Sequence, residues 1–254
     1  MKALSIGSEE EFIRLLEDIS AEASHAVDPW ELLKNLDAAG DQYALEIHQT
    51  PAFWHVTFTA LHEAVLSYLG RLYDKTPGSL SIGCFLSTVK NYPQFFTEQA
   101  FRRRLQGNPH VDTLKERAQI DSVTLESEIK SVSDQDALVR KLHNVRNKRV
   151  AHRDGNMVRL ATMSSITGLT AGEIDTLIER GNGLVSKYGL MFRASFIASR
   201  IFGHEDYADL LRLVKQSIDF NTAQVEDEIR RDLAGAEERR MAMAVGEYQA
   251  KIAL

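Results

Sequence analysis

The spacing of apolar residues along the chain is that of amphipathic helices almost throughout. Ser8 and Glu11 form the S-x-x-E pattern of a helix start, and Phe12, Leu15, Leu16 and Ile19 follow at helical intervals. Thr170 and Glu173 repeat that capping pattern before a longer apolar stripe. The same spacing predicts further helices over residues 28–40, 51–73, 79–92, 93–105, 108–118, 122–132, 134–152 and from 204 to about 240.

Breaks in this pattern coincide with proline and glycine. Thr76-Pro77-Gly78 ends the helix that begins at Pro51, and Gly181-Asn182-Gly183 predicts a kink or a break after residue 170. The extended candidate over 158–163 has no partner strand. The pattern therefore predicts an all-α protein in three segments: an acidic helical pair over 1–50, a helical bundle over 51–200, and a C-terminal helical extension over 201–254 packed on the bundle.

Composition narrows the class of protein. The single cysteine, Cys84, excludes an intramolecular disulfide and any multi-cysteine metal site, and its apolar neighbours predict a packing role. The acidic start lacks the apolar run of a secretory signal, and no window approaches the roughly 18 apolar residues of a membrane span. We expect a cytoplasmic protein that has no membrane segment.

Charge is distributed unevenly along the chain. The net charge is −6, yet residues 140–153 carry six basic residues and no acidic one. The rest of the chain therefore sums to −12. The six are Arg140, Lys141, Arg146, Lys148, Arg149 and Arg153. A solvated basic face, favoured by the helix dipole, and a phosphate-binding patch are both consistent with this stretch.

His152 adds a titratable group to the basic stretch. At about 100° per residue, His152 lies near Lys148 and Arg149 and about 120° around the helix from Arg146. Arg146 and His152 therefore converge only at a frayed helix end or across a two-fold axis between two copies. On this geometry Lys148 and Arg149 remain alternative phosphate contacts. A histidine held at the helix end by Asp154 is the structural alternative for His152.

The run from Leu142 to Asp154 resembles the HEPN pattern, in which an arginine, a polar residue and a few further positions precede a histidine near a helix end. It is similar to the HEPN-like AbiU-type abortive-infection proteins, as is the upstream run Leu69-Gly70-Arg71-Leu72-Tyr73-Asp74, followed by Ser79-Leu80-Ser81-Ile82. The resemblance extends over about residues 50–200.

This resemblance implies a HEPN-like helical bundle with additional N- and C-terminal helices, forming a homodimer. It implies a metal-independent endoribonuclease of phage defence or of a toxin–antitoxin pair, without a cofactor. His152 is then the acid/base, Arg146 holds the phosphate and Asn147 orients the site. RNA contacts are expected from Lys148, Arg149, Arg153, Arg140 and Lys141, and an antitoxin or another protein as a partner.

Other interpretations compete with catalysis. One is a non-catalytic helical module that binds RNA or a partner protein. Another is self-masking, because residues 1–50 hold eleven acidic and three basic residues, a net charge of −8. Arg102-Arg103-Arg104 is either an extension of an RNA path or a solvated helix end. His62-Glu63 lacks the second histidine of a zinc motif, so no metal site is expected.

Overall fold

All regular elements that the structure describes are helices. The computed structural model describes residues 2–108, 111, 119–147, 168–194 and 206–252, and no strand occurs among them. The helices are α1 (Glu9–Ser24), α2 (Val27–Ala39), α3 (Ala44–Gln49), α4 (Pro51–Leu72), α5 (Ile82–Asn91), a 3₁₀ helix (Pro93–Phe96), α6 (Glu98–Arg104), α7 (Ser122–Ser131), α8 (Ala137–Arg146), α9 (Ala171–Arg193) and α10 (Asp206–Ile252). The predicted all-α class is confirmed.

Capping residues explain where several helices begin. The Ser8 hydroxyl accepts from the Glu11 amide at 3.3 Å, and Thr170 and Glu173 make both bonds of a capping box. Both predicted caps are confirmed. Helix α8 begins later than the predicted position 134, since Asp136 accepts hydrogen bonds from the first amides of that helix. The Asp134 carboxylate instead contacts Lys75 and His143.

Two predicted boundaries differ from the structure. Residues 93–105 form two elements and not one helix, because Thr97 adopts an extended backbone and caps α6. Helix α9 continues through Gly181 and Gly183 without a break. Gly181 serves close packing instead, because a Cβ atom there would lie 2.8 Å from Leu72 Cδ2.

The first of two compact units comprises residues 1–35 and 55–202. Within it α1 packs against α9 and α5. Phe12 lies at the centre of an aromatic cluster, with its ring 4.8 Å from Phe192 and 5.5 Å from Phe96 between centroids. Helices from both ends of the unit thus share one apolar core.

The second unit comprises residues 36–54 and 203–254, and in it α3 packs against α10. Leu211 is buried, and Lys215 Nζ lies 3.7 Å from the carboxylate of the buried Glu46. Beyond this contact the described side chains of α10 are almost all exposed. The division into segments at residues 50 and 200 stays a prediction.

Candidate functional site

Helix α8 carries the N-terminal half of the basic stretch. Its apolar face, formed by Val139, Leu142 and Val145, is buried in the core of the first unit. The predicted site residues Lys148, Arg149, His152 and Arg153 lie outside the described residues, as does Asp154. The described part of the candidate site is therefore the end of α8 and what surrounds it.

Arg146 lies in the last turn of α8 and packs over Gly70 of α4. A Cβ atom on Gly70 would lie 2.5 Å from the Arg146 Cδ atom and 2.9 Å from its Nε atom. Only a residue without a side chain leaves room for this approach. Gly70 belongs to the Leu69–Asp74 run of the resemblance, and the structure thus brings that run and Arg146 together.

The Arg146 guanidinium is half-buried and lies close to Asp74. Burial acts to raise the pKa of Asp74, but hydrogen bonds from Thr76 and the charge of Arg146 outweigh it and lower the pKa below its ordinary value. The guanidinium itself has no hydrogen bond or ion pair with any described residue. Its planar set of donors has the geometry that binds a carboxylate or a phosphate.

One turn before Arg146, the buried His143 connects α8 to the end of α4. Its Nε2 lies 2.9 Å from the Tyr73 carbonyl oxygen, and its Nδ1 lies 2.8 Å from the Asp134 carboxylate. The carbonyl can only accept, so Nε2 carries a hydrogen. His143 therefore anchors the turn that presents Arg146.

Asp134 connects this anchor to a surface cation. A hydrogen bond from Lys75 Nζ, at 2.7 Å, is the main cause that lowers the pKa of Asp134, and His143 lowers it further against the effect of burial. These side chains, with Val132, Ser133, Gln135 and Tyr73, line a pocket of about 240 Å³. Sequence reasoning missed the roles of His143 and Asp134, because no spacing rule connects them to the Tyr73 carbonyl.

Arg140 and Lys141 have partners inside the first unit. Arg140 Nη1 donates to the Asp134 and Gln135 carbonyls at 2.7 and 3.1 Å. Lys141 Nζ lies 2.7 Å from both Glu173 oxygens and is the main cause that lowers the pKa of Glu173. Their contact with RNA stays a prediction, and it competes with these contacts.

Asn147 lies at the C-cap of α8 and is exposed. Its amide donates to the carbonyls at the end of the helix, so its backbone is part of the cap. Its side chain faces solvent next to Arg146. Of the three predicted catalytic residues, the structure thus describes Arg146 and Asn147.

The second basic run, Arg102-Arg103-Arg104, makes contacts within the first unit. Arg104 Nε donates to the Phe192 carbonyl at 2.8 Å, and its guanidinium lies 3.9 Å from the centroid of the Phe192 ring. Arg103 pairs with Glu9, and Arg102 with Glu98. Arg104 therefore caps the end of α9 and Arg103 ties α6 to α1, whereas the ion pair of Arg102 lies within α6.

Acidic residues of α1 pair outside the basic stretch. Glu22 contacts Arg71 at 2.7 Å, and Glu17 contacts Arg193 at 3.0 Å. No described residue of α1 or α2 forms an ion pair with α8 in the part of the chain that the structure describes. Masking of residues 140–153 by the N-terminal helices stays a prediction.

The last three predictions concern a metal site, Cys84 and a membrane segment. Within the described ranges no group of three or more His, Cys, Asp or Glu side chains is arranged to hold a metal ion. Cys84 is buried in α5, as predicted. No helix in the described part of the chain is long and apolar enough to span a membrane.

The fold and the end of α8 together define the class: an all-helical protein with a basic helix that ends in an arginine. The model of the HEPN AbiU2 family, described as AbiU2, matches residues 9–214. The chain belongs to this family, which confirms the resemblance and extends it to α1 and to the first turns of α10. Comparisons with curated proteins and with solved structures gave no match.

Proposed function

We propose that this HEPN AbiU2 protein is a metal-independent endoribonuclease of phage defence or of a toxin–antitoxin pair. His152 takes the proton of a ribose 2′-hydroxyl, the 2′-oxygen bonds to phosphorus and the P–O5′ bond breaks. The 5′-oxygen leaves with a proton that the protonated His152 returns. The products are a 2′,3′-cyclic phosphate and a 5′-hydroxyl, so no external reactant is consumed.

The Arg146 guanidinium carries this proposal. It is held against Gly70 by steric fit, and no described residue uses its hydrogen-bond donors. An arginine fixed in this way can hold two phosphate oxygens and stabilise the charge that develops at phosphorus. Asn147, exposed beside it, is assigned the role of orienting the bound phosphate.

The proposed active form is a cytoplasmic homodimer. On one continuous helix Arg146 and His152 would lie about 120° apart, and we propose that the second copy completes the site that uses both. The proposed ligand is RNA, held in addition by Lys148, Arg149 and Arg153. An antitoxin or another protein partner would control access to the same site.

The direct test is cleavage of a labelled RNA oligonucleotide in the presence of EDTA. Arg146→Ala and His152→Ala are each expected to reduce the rate by about 100-fold or more, with an unchanged circular-dichroism spectrum. Arg212→Ala, an exposed arginine on α10 that pairs with Asp209, is the matched control and leaves cleavage unchanged. An oligonucleotide of the same sequence with 2′-deoxyribose throughout must resist cleavage.

A second test changes the site without touching a site residue. Gly70→Ala displaces Arg146, whereas alanine improves the helix propensity of α4. We therefore expect a large loss of cleavage with an unchanged or higher melting temperature. Gly183→Ala is the control, because a Cβ atom there meets nothing within 4 Å.

Two outcomes would contradict the proposal in different ways. Cleavage that survives both Arg146→Ala and His152→Ala would remove the catalytic assignment. Salt-sensitive RNA binding without turnover, lost in Arg146→Ala, would instead identify the non-catalytic binding module.

A further inference from the structure

The outer part of α10 presents an apolar face to solvent. The exposed fractions of Val225, Ile229 and Leu233 are 54%, 54% and 63%. On an ordinary surface helix this face is covered by the rest of the fold. Here the packed part of the stripe is at Leu211, and the exposed part continues for several turns beyond it.

Apolar residues on one face of α10 recur at intervals of eleven residues. Val214, Val225 and Ala236 form one series, Ile218 and Ile229 a second, and Leu211 and Leu233 a third, in which the polar Thr222 stands between the two leucines. Eleven residues complete three turns of an α-helix almost exactly in phase, so these positions share one straight stripe. A stripe that stays in phase along a helix is the pattern of a helix that packs lengthwise against another helix.

Charge along the exposed part of α10 is asymmetric. Residues 219–228 hold four acidic residues and no basic one, a net charge of −4. Residues 229–243 hold four arginines and three acidic residues, a net charge of +1. Two parallel copies would place −4 against −4, whereas two antiparallel copies place each acidic half against the arginine-bearing half.

We propose that α10 is a self-association surface on which a second copy of this chain packs its own α10 in antiparallel orientation. The two-fold axis lies between Ile229 and Leu233. With the axis at Ile229, Val225 faces Leu233 of the other copy. Glu226 of one copy then lies close to Arg230 of the other, or to Arg240 if the axis lies at Leu233.

This surface does not depend on RNA cleavage. It lies on the second unit, whereas Arg146 and His143 lie on the first. A variant that loses self-association through α10 can therefore be separated from one that loses the proposed nuclease site.

The first measurement is the mass of the full chain in solution. Ile229→Asp places a charge in the stripe, and we expect it to weaken association at least tenfold in sedimentation experiments. Phe220→Asp is the matched control: Phe220 is 63% exposed on the opposite side of the same helix, and the same substitution there leaves association unchanged. Equal helix content of the two variants excludes unfolding of α10 as the cause.

The second measurement is the distance between spin labels in the two copies. Single cysteines replace Gln216, Asp227 or Glu238 in a Cys84→Ala background; these exposed positions lie eleven residues apart, away from the stripe. Antiparallel packing about residue 231 separates the labels along the helix axis by about 12 Å at 227, about 21 Å at 238 and about 45 Å at 216. Parallel packing gives three equal distances.

The label distances decide the proposal even if the bundles also associate. A distance at 216 that exceeds the distances at both 227 and 238, abolished by Ile229→Asp and retained in Phe220→Asp, supports it. Equal distances, no distance within the range of the method, or a pattern unaffected by Ile229→Asp would overturn it, and a mass set by another protein in the preparation would do so as well.

Discussion

Helices α9 and α10 each have an apolar stripe, but the two stripes lie in opposite environments. The stripe of α9 is buried from Ile174 to Phe192 and is part of the core of the first unit. The stripe of α10 is exposed from Val225 onward. Periodicity defines which face of a helix is apolar, whereas only tertiary contacts decide what covers that face.

The largest expected effect comes from breaking the α9 core. Phe192→Ala removes a fully buried ring that contacts Phe12 and Arg104, and we expect a loss of about 3–5 kcal/mol in the free energy of unfolding. Urea denaturation of the dilute full chain measures it. A loss below 1 kcal/mol would mean that the aromatic cluster is not the core of the first unit.

A smaller effect is expected at the anchor of α8. His143→Gln cannot keep both the Asp134 and the Tyr73 contacts, so we expect a loss of about 1–3 kcal/mol in unfolding free energy. His48→Gln, on an exposed histidine of α3, is the control. If both substitutions had equal effects, His143 would have no anchoring role.

The carboxylate of Asp134 makes the stability of the first unit depend on pH. Its folded pKa lies below the ordinary value of 3.8, so its contribution to stability is present above that value and is lost as the pH falls through the lower folded pKa. Asp134→Asn is expected to cost about 1 kcal/mol or less at neutral pH, because this carboxylate is partly exposed. The difference from the unmodified protein must shrink in melting experiments below pH 3.8; a difference that does not change with pH would contradict this origin.

The smallest effect is expected on α10. Ile229→Ala in the dissociated chain is expected to change the unfolding free energy by less than about 0.5 kcal/mol, since the side chain is half exposed and alanine favours the helix. The measurement is made at a concentration below that of self-association. A loss of several kcal/mol would show that the stripe of α10 is covered within a single copy.

Local signals in the sequence predicted much of the first unit. The caps at Ser8 and Thr170 and the apolar spacing that follows them act within a few residues, and both were confirmed. The spacing also predicts a helix over 134–152, of which the structure describes α8 (Ala137–Arg146). The all-α class followed from the spacing of apolar residues alone.

Contacts between distant segments could not be predicted in this way. Lys141 pairs with Glu173 across 32 positions, and His143 meets the Tyr73 carbonyl across 70. The interpretation of Gly181 as a break was wrong for the same reason, because its neighbour Leu72 belongs to another helix. Helical periodicity predicts the direction in which a side chain points, but not which residue it contacts.

The fit between Gly70 and Arg146 has a consequence for how this family varies. A Cβ atom at position 70 would occupy space that the Arg146 side chain fills, so a side chain can enter position 70 only if the side chain at position 146 shifts or is shortened. Substitutions at the two positions are therefore epistatic, and the order in which they arise matters. Related chains are expected to combine a small residue at the first position with arginine at the second, or to have changed both.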